Sequence, residues 1–413
     1  MSWKNRSELA DNQHAALQRL LEEVIGRNQF YTRKLESAGI FGSAMELDEF
    51  QEKAPFTTRQ EWTEDQIEHP PYGSNLTYSV RQYTRYCQTS GSTGKPMKWL
   101  DTNASWAWML DNWKRVYQAA GIEPGSKIFF AFSFGPFLGF WTAFEAATRY
   151  GCMAMPGGGM STTARLSAMQ ENTVDVLCCT PTYAIHLGEV AAATGVDIAS
   201  LGVSCIIVAG EPGGSIPTTR KLIEKLWPGA RVFDHHGMTE VGPVSYEAED
   251  ASGLVVMEEA YLAEVIDPET HDPVPDGGRG ELVLTTLGRL GSPLIRYRTG
   301  DLVQPEIYEQ RRLLKGGILG RLDDMVIVRG VNVFPGAVEE VVRGFEAVKE
   351  YQVRVNQAGA MAEMTLSVEG ADVDVTSIQK ALGESLSLRI PVDVVPEGSL
   401  PRFEMKAKRW IYE

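Results

Sequence analysis

Residues 128–149 read IFFAFSFGPFLGFWTAFEAATR, and the reading of this stretch decides the fold. It is the most apolar segment of the chain. A membrane helix needs about 20 uninterrupted apolar residues, and Ser133, Gly135, Pro136, Gly139 and Glu145 interrupt this one. The segment therefore reads as a buried strand over 128–134, a turn, and a buried helix over 138–149. The same alternation continues downstream. Strand-like runs at 174–179, 203–209 and 231–234 are separated by helix-like runs at 184–193 and 218–226. Pro217 stands at the start of the last helix, where proline is tolerated. This pattern predicts an α/β core with a largely parallel sheet.

On either side the style differs. Upstream, Leu17, Leu20, Leu21, Val24 and Ile25 recur at helical spacing, as do Trp106, Leu110, Trp113 and Tyr117. Both sets read as core-facing stripes. Between 260 and 315, extended runs are punctuated by Asp267-Pro268, Pro275-Asp276-Gly277-Gly278, Leu287-Gly288 and Thr299-Gly300, which predicts antiparallel strands. After Gly320 the order is strand (325–329), helix (337–345), strands (351–355 and 363–368), helix (377–385) and strand (392–395). A boundary is expected near Arg321, between a large domain (1–320) and a small α+β domain (321–413).

Composition narrows the function. Of 413 residues, 43% are hydrophobic, enough for a substantial core, so wholesale disorder is excluded. The net charge of −15 repels phosphate backbones and anionic lipid, which argues against nucleic acid and membrane partners. Cys87, Cys152, Cys178, Cys179 and Cys205 are odd in number and form no Cys-x-x-Cys pair. They read as reduced, buried thiols of a cytoplasmic protein. The polar run from Met1 to Arg6 lacks the apolar stretch of a signal peptide.

The sharpest local feature is Gln88-Thr89-Ser90-Gly91-Ser92-Thr93-Gly94-Lys95-Pro96, which follows a short extended run. Glycines let the backbone approach a ligand, and successive amides and hydroxyls can surround phosphate oxygens. Lys95 adds a positive charge. Pro96 after the lysine breaks the P-loop pattern, so a P-loop kinase or GTPase is disfavoured. Taken alone, the stretch is also compatible with a flexible surface turn.

This loop resembles the phosphate loop of the adenylate-forming superfamily of acyl-CoA synthetases and adenylation enzymes. Further motifs of that superfamily follow in order: Asp234-His235-His236-Gly237-Met238-Thr239-Glu240, Tyr297-Arg298-Thr299-Gly300-Asp301, Gly320-Arg321-Leu322-Asp323-Asp324, and Leu400-Pro401-Arg402 leading to Lys406. The stretches CCTPTYAIHL, AGEPGG, ELVLTTLGRLGSPLIRYRTGDL and GGILGRLDDMVIVRGVNVFPGAVE resemble the phenylacetate–CoA ligase branch. The resemblance implies an α/β fold with a large N-terminal adenylate-forming domain, containing mixed sheets and flanking helices, and a small mobile α+β C-terminal domain. It also implies a two-step reaction. A carboxylate attacks the α-phosphorus of ATP to give an acyl adenylate and pyrophosphate, and coenzyme A then takes the acyl group and releases AMP.

The resemblance assigns residues to this chemistry. Residues 89–95 would hold the β- and γ-phosphates. Gly210-Glu211-Pro212 and the run from Asp234 to Met238 would line the nucleotide. Asp301 would accept from the ribose hydroxyls, and Arg321 would contact the nucleotide. Glu240, beside Thr239, would carry magnesium. Asp323 would be the hinge, and Lys406 the catalytic lysine between the attacking carboxylate and the α-phosphate. Phe132, Phe134, Phe137, Phe140, Trp141 and Tyr183 are candidates for an aromatic wall suited to an aryl or arylacetic acid. Alternative acceptors within the superfamily are a carrier-protein phosphopantetheine and, as in coenzyme F390 synthetase-like relatives, a phenolic hydroxyl that receives AMP. A silent nucleotide-binding protein is a third alternative. Relatives imply a homodimer. The chain departs from the common pattern at His236, where many members have tyrosine, and at Met405, where glycine is usual. Zinc is not expected, because the stretches that carry cysteine ligands in some relatives read YEAED and IYEQRRLLKGG here.

Overall fold

A computed structural model describes residues 6–89, 96–356, 362–403 and 407–413. The chain divides into two units: residues 1–158 with 235–317, and residues 159–234 with 318–413. The candidate phosphate-binding residues Ser90, Gly91, Ser92, Thr93, Gly94 and Lys95, and the candidate catalytic lysine Lys406, lie outside the described residues. Among the described residues, no helix is long and apolar enough to cross a membrane.

The first unit opens with the Arg6–Val24 helix, whose Leu17, Leu20, Leu21 and Val24 are fully buried. A capping box starts the Arg59–Glu68 helix: the Glu61 amide donates to the Thr58 hydroxyl, and the Glu61 carboxylate accepts from the Thr58 amide. That fixes Trp62, which stacks on Trp99 at 4.3 Å between ring centroids. Trp99 belongs to the Lys98–Thr102 strand, which pairs antiparallel with Tyr83–Gln88. The Gly/Ser/Thr stretch is thus the connection of a hairpin. Thr102 caps the Asn103–Ala119 helix, which buries Trp106, Leu110, Trp113 and Tyr117. Strand Lys127–Phe130, helix Leu138–Tyr150 and strand Met153–Pro156 follow as a right-sized βαβ crossover with parallel strands. Two antiparallel systems complete the unit. Tyr261–Ile266, Gly280–Thr286 and Tyr297–Val303 form one. The other runs from the end of Arg231–Met238 through Gly242–Glu247, Gly253–Val256 and Arg311–Lys315 to Pro305–Tyr308.

In the second unit, Val176–Cys179, Cys205–Val208 and the start of Arg231–Met238 are parallel neighbours. Every residue of the first two strands is buried, as a parallel sheet covered on both faces requires. Helices Pro181–Thr194 and Pro217–Leu226 each begin with proline in the first turn. The C-terminal part is α+β. Its sheet is ordered Val392–Val395, Glu363–Glu369, Glu350–Asn356, Trp410–Tyr412, antiparallel at the centre and parallel at both flanks. Helices Pro335–Arg343 and Val375–Leu386 contribute Val338, Val342, Ile378 and Leu382 to its core.

The mixed α/β architecture agrees with the expectation, and the differences lie at element ends. The first strand of the alternation stops at Phe130 and not at residue 134. Pro136 cannot extend a ladder as a donor, and its carbonyl instead accepts from the Gln88 amide at 2.7 Å. The strand expected at 231–234 runs on to Met238, because its second half finds an antiparallel partner in Gly242–Glu247. The helix expected from 184 begins at Pro181, where the Thr180 side chain caps it. Strand Trp410–Tyr412 was not expected, since three residues carry no period.

At the centre of the first unit lies an ion pair with no exposed surface. Arg289 Nε and Nη2 donate to the two Asp101 carboxylate oxygens at 2.7 and 2.6 Å, and both side chains are 0% exposed. The guanidinium carbon stands 5.2 Å from the Trp99 ring. Removing one partner of such a pair strands the other charge in a low-dielectric interior. Asp101→Ala is therefore expected to destabilise the protein by about 3–5 kcal/mol, read as a lower denaturant midpoint at unchanged slope. A change below about 1 kcal/mol would contradict this reading.

Candidate active site

Each unit carries part of the residue set. In the first unit, the two flanks of the hairpin connection are tied together at its base. The Thr89 amide donates to the Met97 carbonyl at 3.0 Å, and the Thr89 hydroxyl accepts from the Met97 amide at 3.0 Å. Thr89 is buried. The base of the loop is therefore a closed ring of main-chain and side-chain hydrogen bonds.

The segment from His235 to Glu240 runs off the end of its strand into a tight turn. A side chain on Gly237 would meet the Gly242 carbonyl at 2.8 Å, so glycine is required there. His235 is buried, with its ring 4.3 Å from Trp113 and its Nδ1 2.7 Å from the Ser245 carbonyl. Burial pushes its pKa from 6.5 down to about 3; the Ser245 carbonyl opposes this and His236 adds to it. His235 is thus neutral, with Nδ1 as the donor. His236 Nε2 lies 3.1 Å from Asp301 Oδ2. With the carboxylate as acceptor, Nε2 is the donor of this contact. Nδ1 of His236 is buried with no hydrogen-bond partner among the described residues. Asp301 is itself buried. The structure thus brings together two predicted site residues that stand 65 positions apart. Met238 and Thr239 are half-buried.

Glu240 is buried, and among the described residues its carboxylate makes no hydrogen bond or ion pair. Its backbone is held firmly: Arg289 Nη1 donates to the carbonyls of Thr239 at 3.0 Å and Glu240 at 2.6 Å. One carboxylate with its lone pairs uncommitted, supplemented by phosphate oxygens and water, is a donor set that magnesium accepts. The residues present fit that ion. Among the described residues, no cluster of three or more His, Cys, Asp or Glu side chains could hold a metal by themselves.

The aromatic candidates of the first unit lie on the segment after Phe130 and on the helix that follows. Phe132 stacks on Phe140 at 4.1 Å, and Phe137 meets Phe140 edge-on at 6.0 Å. Phe134 meets Trp141 edge-on at 5.0 Å, and Trp141 Nε1 donates to the Gly135 carbonyl at 2.9 Å. Phe132 is buried, Phe134, Phe137 and Phe140 are half-buried, and Trp141 is exposed.

In the second unit, Gly210 adopts a positive φ of 96° and turns the chain into Glu211 and Pro212. Glu211 accepts from two main-chain amides, Thr182 at 2.9 Å and Ala407 at 2.8 Å. Asp234 is buried and accepts from the Ser215 hydroxyl. Arg321 and Asp323, to which the resemblance gives different roles, pair with each other at 2.8 and 3.1 Å. Tyr183 is fully buried, its hydroxyl 3.1 Å from Thr162 Oγ1 and its ring 4.8 Å from the Arg165 guanidinium.

Sequence reasoning missed Asp101, Arg289, Thr182 and Arg409. Arg289 and Asp101 are 188 positions apart, and no local pattern pairs them. Arg289 sits inside the quoted stretch 281–302, where an arginine without an acidic neighbour at helical or strand spacing was the one available hint.

Comparison with known proteins places these observations. A family model for AMP-binding enzymes matches residues 45–288, and a model for the AMP-binding enzyme C-terminal domain matches residues 330–413. The chain is 31% identical to the phenylacetate-coenzyme A ligase of Thermus thermophilus over 97% of its own length and 95% of the relative's. The phenylacetate-coenzyme A ligase of Escherichia coli is also 31% identical, covering 97% and 94%. Among solved structures, 2-hydroxyisobutyryl-CoA ligase in the postadenylation state with 2-HIB-AMP superposes with a TM-score of 0.93 at 27% identity, over 99% of this chain and 90% of that one. The same ligase with 2-HIB-AMP and CoA in the thioesterification state gives 0.75 at 28% identity, over 99% and 91%.

The buried neutral His235 has a consequence for stability. Below about pH 6.5 the unfolded chain takes up a proton that the folded chain refuses until about pH 3. Stability therefore falls as pH drops through that window, by at most about 1.4 kcal/mol per pH unit from this group. His235→Gln removes the term. The stability gap between wild type and variant, measured by urea denaturation, should narrow or reverse from pH 7 to pH 4. A constant gap would show that His235 titrates normally.

Proposed function

The chain belongs to the AMP-binding enzyme family, with phenylacetate–CoA ligases as its relatives, and from that premise we propose that it is an ATP-dependent acid–thiol ligase. It adenylates an aryl or arylacetic carboxylic acid and passes the acyl group to coenzyme A, releasing AMP and pyrophosphate. The observation that carries the reading is Glu240: a buried carboxylate held in place through its backbone, with its oxygens uncommitted among the described residues. A buried acid left without a cation is costly, and a polyphosphate with its counter-ion meets that need.

In the first half-reaction a carboxylate oxygen of the acid attacks the α-phosphorus. The bond to the β-phosphate oxygen breaks, and pyrophosphate carries the charge away. An anion attacking a polyanion needs its repulsion neutralised, so positioning and electrostatics carry most of the rate. The hairpin connection 89–95 would hold the β- and γ-phosphates on its amides and hydroxyls, with Lys95 beside them. Asp301 would accept from the ribose hydroxyls, and the His236 Nε2 contact orients that carboxylate. Gly210, Pro212 and the run from Asp234 would line the nucleotide. Lys406 would bridge the attacking oxygen and the α-phosphate. Magnesium, when bound at Glu240, supplies charge neutralisation on the phosphates. In the second half-reaction the thiolate of coenzyme A attacks the acyl carbon and AMP leaves, after the C-terminal part turns about Asp323.

The stacked and edge-on rings of Phe132, Phe137 and Phe140 support an aromatic acid, since offset ring contacts add to area burial. All five cysteines are buried and none is in a disulfide among the described residues, which supports placement in a reducing cytoplasm. The homodimer implied by the resemblance belongs to the same proposal.

With ATP, magnesium, coenzyme A and a panel of benzoic, phenylacetic and aliphatic acids, the protein should release AMP and pyrophosphate with the aromatic members. Silence across the whole panel would overturn the reading. Lys406→Ala should slow pyrophosphate release by at least about 100-fold and leave thioester formation from supplied acyl adenylate largely intact. Equal loss of both steps would remove Lys406 from its role.

A further inference from the structure

We propose that Glu211 is a positioning residue for the adenylation step: its carboxylate fixes the main chain next to Lys406 by holding the amide of Ala407. The inference rests on the acid–thiol ligase reading above and adds to it. The resemblance places Glu211 in the nucleotide wall, whereas its own hydrogen bonds point elsewhere.

Both carboxylate oxygens of Glu211 are committed to main-chain donors. Oε1 accepts from the Thr182 amide at 2.9 Å, and Oε2 accepts from the Ala407 amide at 2.8 Å. Thr182 is in the first turn of the Pro181–Thr194 helix, where backbone amides lack partners and a negative charge is favoured. The first bond therefore anchors the carboxylate, and the second uses that anchor to hold the chain one residue beyond Lys406. The backbone carrying Glu211 is equally constrained. Gly210 has a φ of 96°, and a side chain on Gly213 would run into Pro181. The loop thus sits directly against the helix start it caps.

A second tie lies two residues further on. Arg409 is buried and donates to Glu350 through Nε at 2.7 Å and Nη2 at 3.2 Å. Its Nη1 also reaches the Thr182 hydroxyl at 3.5 Å. Trp410–Tyr412 then pairs as a strand with Glu350–Asn356. On the other side, Arg402 and the Leu400 amide are held by Glu369, the latter at 3.0 Å. The described residues on either side of Lys406 are therefore anchored, and among them Ala407, the next in sequence, is held by Glu211. Charge-assisted bonds to a carboxylate are the stronger class, and an ångström of misplacement at a reacting group costs orders of magnitude in rate. If the C-terminal part turns about Asp323 for the second half-reaction, the Ala407 bond breaks. It serves adenylation alone.

The test separates the half-reactions in the full-length enzyme, with phenylacetate and synthetic phenylacetyl adenylate as probes. Glu211→Gln keeps the size but only one acceptor oxygen, and it should lower the rate of pyrophosphate release by about tenfold, with thioester formation from the supplied adenylate within about twofold of wild type. Glu211→Ala should lower pyrophosphate release further. In the Lys406→Ala background, Glu211→Gln should cost little more, because the two residues act as a unit. A role confined to the nucleotide wall would raise the KM for ATP, slow both half-reactions, and multiply with Lys406→Ala. That pattern, or a Glu211→Gln variant that adenylates like wild type, overturns the proposal. A wild-type enzyme that adenylates no acid overturns the ligase reading, and this inference with it.

Discussion

One buried cation organises the first unit. Arg289 has no exposed surface, and its desolvation is offset by a bidentate pairing with Asp101 and by two main-chain carbonyls. Burial opposes its charge, but the Asp101 carboxylate beside it raises its pKa, so it stays ionised. Its fork joins two parts of the chain that a sheet ladder does not: the Lys98–Thr102 strand, through Asp101, and the turn that carries Glu240, through the carbonyls of Thr239 and Glu240. Planar, rigid and always protonated, guanidinium is the group for this task, and lysine could not make the same four bonds. The ring of Trp99 stands beside it, and Trp62 stacks on Trp99. The base of the hairpin connection and the turn that carries Glu240 are thus referred to one fixed point.

The second unit solves a similar problem with a network. Glu339 is buried; burial raises its pKa, but Arg409 and Arg343 overcome that and hold it below the usual carboxylate range. Glu350 pairs with Arg409 and Arg343, and the Tyr351 hydroxyl donates to Glu339. Glu339 and Glu340 also accept from the hydroxyls of Thr219 and Thr218 at 3.3 and 2.9 Å. Polar groups so fully paired specify one arrangement of their elements and penalise others, since each lost partner leaves a desolvated charge.

Much of the fold was legible because it follows from periodicity. The alternation after residue 127 and the antiparallel style after 260 needed only hydrophobic spacing and turn residues, and both appear as parallel and antiparallel pairings. Element ends were less legible, because they depend on partners far along the chain. The strand that ends at Phe130 gives way to the Gln88–Pro136 bond, and the strand that continues to Met238 does so for Gly242–Glu247. The candidate site was legible as a set of motifs and not as a geometry. Nothing in the spacing joins His236 to Asp301, Arg289 to Asp101, or Glu211 to Ala407, since each pair meets only after folding. Lys406 and the run from Ser90 to Lys95 lie outside the described residues.

The five buried cysteines bear on the fidelity of the chemistry. An acyl adenylate is an electrophile that any thiolate can intercept, and the enzyme proposed here makes one while waiting for a thiol from solution. Cys87 stands two residues before Thr89, at the start of the Gly/Ser/Thr stretch. Burial pushes its thiol up to about 12, with Asp101 adding to the effect and Arg289 opposing it. Burial likewise raises Cys179 and Cys152. Nucleophilicity follows the thiolate, so at neutral pH these sulfurs are inert toward the intermediate. The fold withholds these three thiols from acylation, so that they do not compete with coenzyme A for the intermediate.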